Sequence, residues 1–345
     1  MSDKIPRALV TGMGSLPYRE AQDAINLVFK YFPDAPFWPQ LPQRGFKEGM
    51  IAQFSENFPF LKVNPSGIEF SESEEALEEF YAQLIANNQD YFRISEDFAA
   101  GLYTFYNKLE KGVRAPLFIK CQVTGPFTFA GAINDNKGLA LLHNKVFMQA
   151  IIKGLAMKAR WQISFFKKFG RKMLMFIDEP YLAAFGSAYT QINRQDVVAG
   201  LGECARSIKS EGVLIGVHCC GNTDWSMFTD IADIDIISFD AYDYLDKLVL
   251  YSGELGRFLK RGGILCWGIV PTTSFSREET KLSLSDIVKK GLNKLEEKGL
   301  PRDLLTERFF ISPTCGLGML TPERTEQISA LLSETSSFIR DNPRL

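Results

Sequence analysis

Short apolar runs alternate with longer segments whose apolar residues recur every three or four positions, along nearly the whole chain. Runs at residues 117–123, 173–177, 213–217, 234–239 and 264–270 have the length and the β-branched and aromatic content of buried strands. Residues 308–312 add another, 7–11 a first, and 36–38 a weaker one. Between the later strands the spacing predicts helices over 144–169, 194–209, 243–260, 284–298 and 322–341. The N-terminal third predicts a helix over 19–31, an irregular stretch at 43–48 and a helix around 50–58. A hairpin near 61–70 and helices over 74–87 and 96–111 follow. Strictly alternating strands and helices argue for a parallel sheet. Eight strands in 345 residues predict an α/β chain folded as one (β/α)₈ TIM barrel over residues 1–345, with additions in its N-terminal third. A doubly wound open sheet is the alternative, but no G-x-G-x-x-G follows the first strand.

A barrel gathers its chemistry at the C-terminal ends of its strands. The polar residues at those ends are Ser15, Thr124, Asp178, Glu179, His218, Cys219, Cys220, Asp240, Thr272, Thr273 and Cys315. Each alone reads as a cap or turn residue: Asp178 before Pro180, and Asp240 before a helix, could be N-caps. Their convergence is what favours a site. His218 and Cys220 stand two positions apart at the end of the run over 213–217, so imidazole and thiol share a side. Cys315 follows a second strand and precedes Gly316. One nitrogen and two sulfurs are donors that Zn²⁺ accepts, and a catalytic zinc site needs only three protein ligands. Cys121, Cys204 and Cys266 sit in or beside apolar runs and read as small core residues.

Composition narrows the function classes. Apolar residues make up 46% and charged residues 23%, enough for a large core, and the net charge of −2 gives no pull toward nucleic acid or an anionic membrane. No stretch approaches the ~18 apolar residues of a spanning helix. Six cysteines in a chain this long are too sparse for a disulfide framework. The first residues carry no signal-peptide core, so reduced thiols in a cytoplasm are the expectation.

Several strand-end motifs, in this order, are shared with one enzyme family. They are Gly14-Ser15-Leu16-Pro17, Thr124-Gly125-Pro126-Phe127-Thr128, Ile177-Asp178-Glu179-Pro180, His218-Cys219-Cys220 and Pro313-Thr314-Cys315-Gly316-Leu317. They resemble the C-terminal catalytic domain of cobalamin-independent methionine synthase. That domain belongs to a barrel superfamily that includes uroporphyrinogen decarboxylase and corrinoid-dependent methyltransferases. The resemblance implies that His218, Cys220 and Cys315 bind Zn²⁺, and that Asp240 stands where the synthases place a glutamate ligand. It implies that Ser15 and the Gly14 backbone hold a substrate carboxylate and that Asp178 pairs with the substrate amine, with Glu179 grouped beside it. The segment 43–50, with Arg44 and Glu48, falls where the synthases carry a second carboxylate, and its role stays open.

The resemblance therefore implies a thiol S-methyltransferase that methylates homocysteine to methionine. Features of its folate-using members are missing. The stretch Phe129-Ala130-Gly131-Ala132 lacks a tryptophan, and the loop from Trp267 to Thr272 lacks a histidine. The other histidine, His143, is expected in a helix, and the chain corresponds to a short form without the N-terminal half. A methylated corrinoid such as methylcobalamin, free or on a corrinoid protein, is the expected donor. Four rivals remain: a folate-dependent methionine synthase, transfer to another thiol such as coenzyme M, a uroporphyrinogen decarboxylase-like reaction, and a closed zinc site without catalysis. No N-terminal arginine cluster supports the decarboxylase, which would also leave His218 and the cysteines unexplained.

Overall fold

The computed structural model describes residues 5–65, 67–187, 190–276 and 278–342. Nine strands are present among them: β1 (Leu9–Val10), β2 (Leu61–Asn64), β3 (Gly67–Phe70), β4 (Phe118–Thr124), β5 (Lys172–Asp178), β6 (Val213–Cys219), β7 (Ile236–Asp240), β8 (Ile264–Val270) and β9 (Phe310–Pro313). Seven of them form one parallel sheet in the order β1-β9-β8-β7-β6-β5-β4. The fold is mixed α/β, with the parallel sheet curled into a half-barrel, while β2 and β3 pair as a separate antiparallel hairpin. Residues 34–40 reach both edges of the sheet: Phe37 bridges Lys120 of β4, and Gln40 bridges Ser15, beyond β1.

Period-two alternation divides each strand between two faces. Ile119, Cys121, Val123, Met175, Ile177, Ile215, Val217, Ile237, Phe239, Leu265, Trp267 and Ile269 belong to the large apolar core shared with the helices. The opposite parity gives a second, smaller cluster containing Leu9, Phe118, Leu174, Phe176, Ile236, Ile264, Cys266 and Phe310. Following that inner parity toward the C-terminal ends, the apolar residues give way to Lys120, Gln122, Asp178, His218, Ser238 and Asp240. The inner face is therefore apolar at one end and polar at the other. Gly216 lies on this face because Phe176 fills the space: a Cβ there would meet the Phe176 ring at 2.8 Å.

Most sequence-predicted helices form near their expected bounds, among them Ala21–Tyr31, Glu74–Ile85, Lys145–Phe166, Arg194–Ile208, Lys281–Glu297 and Pro322–Asp341. Four elements differ from their expected form. The helix expected over 243–260 breaks into Leu245–Val249 and Ser252–Lys260, where Tyr251 N takes the i−3 carbonyl of Leu248. The helix expected around 50–58 shrinks to Ala52–Ser55. That expected over 96–111 begins at Ala100, because residues 95–99 close a turn on the Ser95 carbonyl. His143 ends a 3₁₀ turn, Leu141–His143, rather than sitting in an α-helix. A short helix at Pro126–Gly131, which the periodicity did not announce, starts at a proline whose missing N–H costs nothing in a first turn.

The expected strand at 36–38 is reduced to the single Phe37 bridge, and side chains tie the segment down. Trp38 Nε1 donates to Gln162 Oε1 at 2.9 Å, and Gln162 Nε2 donates to the Gln122 carbonyl at 3.0 Å. Gln122 Nε2 returns to the Trp38 carbonyl at 3.0 Å. The three expected core thiols, Cys121, Cys204 and Cys266, are all buried.

Candidate active site

β6 carries His218 on the inner face, while Cys219, one residue on, turns into the core beneath the helices. The chain then bends and returns Cys220 to the inner side. Cys315 arrives from the turn that follows β9, opposite in sequence and adjacent in space. Ligand atoms of His218, Cys220 and Cys315 all lie within 4.8 Å of one another, and this is the one group among the described residues that could hold a metal ion. His218 is 5% exposed.

His218 is held from behind. Its Nδ1 lies 3.0 Å from Ser238 Oγ, on the register partner of His218 across β6 and β7. Ser238 Oγ donates toward Met13 Sδ at 3.9 Å, which leaves it free to accept from Nδ1–H. In that tautomer Nε2 carries the lone pair that a metal needs. The two thiols share a hydrogen bond. It and the nearby His218 hold Cys315 well below the usual thiol range, while the same bond and then burial push Cys220 up.

These residues line a cavity of about 260 Å³ with Met13, Ser15, Gln40, Pro42, Glu48, Met50, Asp178, Pro180, Gly316, Gly318 and Met319. The register places Asp178 of β5 beside His218 of β6. Asp178 Oδ1 is buried with no hydrogen-bond partner. Burial raises the Asp178 carboxyl, against the pull of Lys120 and then His218. An acceptor left alone in a cavity wall invites a donor from a ligand.

Ser15 also lines the cavity. The Ser15 carbonyl accepts Leu317 N at 2.9 Å and Ser15 Oγ accepts Gly318 N at 3.3 Å, which ties the turn after β1 to the turn after β9. Glycine there leaves room for the Ser15 hydroxyl, since a Cβ on Gly316 would meet Ser15 Oγ at 2.2 Å and displace it. Gly14 adopts φ +146°, a conformation that favours glycine, and its carbonyl accepts Gln40 N at 3.0 Å.

The other residues expected at the site have different surroundings. Glu179 does not line the cavity: its Oε1 accepts Phe127 N at 2.9 Å, and its Oε2 accepts Thr128 N at 2.8 Å and Thr128 Oγ1 at 2.6 Å. It serves the buried amides at the start of the helix Pro126–Gly131, which have no intrahelical acceptor, because neighbouring strand residues point to opposite faces and Asp178 has taken the inner one. Asp240 lies on the inner face but outside the three-residue donor group. Its Oδ1 accepts Tyr242 N and Asp243 N, both at 2.9 Å, and burial pushes its carboxyl up to about 6. Glu48 is a cavity residue: it is 3% exposed, accepts Arg44 Nε at 2.7 Å and Leu41 N at 3.2 Å, and burial pushes it up to about 7.

Sequence reasoning missed Ser238, Gln40, Met13 and Lys120. The last had a signal: a lysine in the otherwise apolar and polar-neutral run from Phe118 to Thr124.

No protein-family profile and no curated protein matches this chain. Among solved structures, it is similar to a GH18 chitinase from Pseudoalteromonas aurantia. The identity is 12% over 96% of this chain and 100% of that one, with a TM-score of 0.43. It is also similar to the endoglucanase CEL6B from Humicola insolens, at 10% identity over 68% of this chain and 72% of that one, with a TM-score of 0.34. Among the described residues no helix is long and apolar enough to cross a membrane.

Proposed function

We propose that this protein is a zinc-dependent thiol methyltransferase that moves a methyl group from a methylated corrinoid to the sulfur of homocysteine, forming methionine. The observation that carries the reading is the cluster of His218, Cys220 and Cys315 donor atoms within 4.8 Å of one another, in the wall of a cavity that also presents the unpartnered Asp178 Oδ1. The donor set fits zinc. Tetrahedral bonds of ~2.0–2.3 Å put donors ~3.3–3.8 Å apart, so small side-chain shifts suffice. Three protein donors leave a fourth position for a thiol, and Asp240 is near enough to His218 to support the site electrostatically. When bound, zinc would supply the means to keep a substrate thiol deprotonated at neutral pH.

The chain's own residues account for the rest. Ser238 orients the imidazole. Asp178 receives the substrate ammonium, and the Ser15 turn faces the substrate carboxylate. These two groups, both in the cavity lining, align the thiol with the metal-binding cluster. A carboxylate without a partner favours an amine-bearing thiol over one without. Met319, 86% exposed, marks where the cavity opens to a donor arriving from outside.

The same reading includes an eight-stranded (β/α)₈ barrel in which residues 36–40 supply the eighth stave. The bridges Phe37 to Lys120 and Gln40 to Ser15, both parallel, support it.

The test is zinc analysis of the purified protein together with methyl transfer from methylcobalamin to homocysteine. Stoichiometric zinc and methionine formation are expected. Transfer from methyltetrahydrofolate alone would overturn the donor. A zinc-loaded protein inactive with both donors would overturn the reaction.

A further inference from the structure

Lys120 is fully buried on the inner face of β4, directly beneath the cavity. Among the described residues its ammonium makes one hydrogen bond, to the Met13 carbonyl at 2.9 Å. The Phe176 ring lies 4.6 Å from Nζ and the Phe37 ring 5.9 Å, so aromatic faces provide the rest of its surroundings. The group that acts on it most strongly, apart from burial, is Asp178. A lysine this deep is costly to bury without a counter-charge. It lies below the cavity and does not line it, so it cannot touch a ligand there.

We propose that Lys120 is a positioning residue for the ligand cavity: through the Met13 carbonyl it fixes the turn that presents Gly14 and Ser15. The hydrogen bond ends one residue before Gly14, whose φ of +146° gives it no intrinsic anchor. The role in substrate grip rests on the homocysteine reading given above. The anchoring of the turn through the Met13 carbonyl does not.

Two variants test it: Lys120→Met and Lys120→Gln. Thermal unfolding needs no substrate. Lys120→Met should lower Tm by roughly 3–8 °C, because it removes the donor to the Met13 carbonyl, and Lys120→Gln should lower it less. Equal losses in the two variants would overturn the anchoring of the turn, and this holds whether or not the protein transfers methyl groups. With homocysteine as substrate, Lys120→Met should raise KM roughly tenfold or more with a much smaller change in kcat, and zinc content should not change. Lys120→Gln, which keeps a donor for Met13, should fall between Lys120→Met and the wild type. An unchanged KM in Lys120→Met, or a loss confined to kcat, would overturn the positioning role.

Discussion

Ser238 Oγ lies 3.0 Å from His218 Nδ1, across neighbouring strands and at paired register positions. This contact sets the ring plane of His218 and directs Nε2 toward the two thiols. Neither residue is adjacent to the other in sequence, and the pair exists because β6 and β7 are hydrogen-bonded neighbours.

Ser238→Ala should weaken zinc binding by roughly 10–100-fold, the usual cost of removing the group that orients a metal-bound histidine. Competition against a chromophoric chelator measures it. An affinity equal to the wild type would mean that packing alone orients the ring.

Cys220→Ser and Cys315→Ser should each lose zinc, since the remaining donors no longer complete the set of three. Metal analysis after dialysis reads this directly. Full retention in both variants would reject the assignment of the cluster.

Asp178→Asn should weaken homocysteine binding by about 1.5–3 kcal/mol, the range for a hydrogen bond to a charged group. Thiols without an amine should be affected far less. Titration calorimetry with homocysteine and with 3-mercaptopropionate separates the two, and equal losses would contradict amine pairing.

Glu179→Ala should act on stability instead. It strips the acceptors from Phe127 N, Thr128 N and Thr128 Oγ1, at a cost of about 2–3 kcal/mol. Denaturant unfolding measures the loss. The affinity for homocysteine should stay within a few-fold of the wild type, which a direct substrate role would not allow.

Glu48 gives a pH dependence with a definite sign. Burial raises its carboxyl from 4.5 to about 7, so the folded protein binds a proton that the unfolded chain releases. Its favourable contribution is complete below about 4.5 and is lost as pH rises through about 7. Glu48→Gln should flatten the decline in unfolding free energy over that window. An unchanged slope would show that the Arg44 ion pair outweighs the burial.

The sequence by itself determined the alternation of strands and helices, because burial on both sheet faces writes continuous apolar runs and surface helices write a 3.6-residue period. It also determined which residues stand at strand ends, and so named His218, Cys220, Cys315, Asp178 and Ser15 as neighbours of one rim. Tertiary structure decided what each side chain faces. Asp178 and Glu179 are consecutive and chemically alike, yet one lines the cavity and the other caps a helix, because a strand turns successive side chains to opposite faces. Residues 36–40 show too little apolar pattern to announce their place, and glutamine and tryptophan side chains reaching across the fold hold them there. Ser238 left no signal in the sequence, and Lys120 only that of a lysine in an apolar run, for the same reason. Their roles come from partners more than a hundred residues away for one, and one strand over for the other, and contacts at that range are set by sheet register rather than by local spacing.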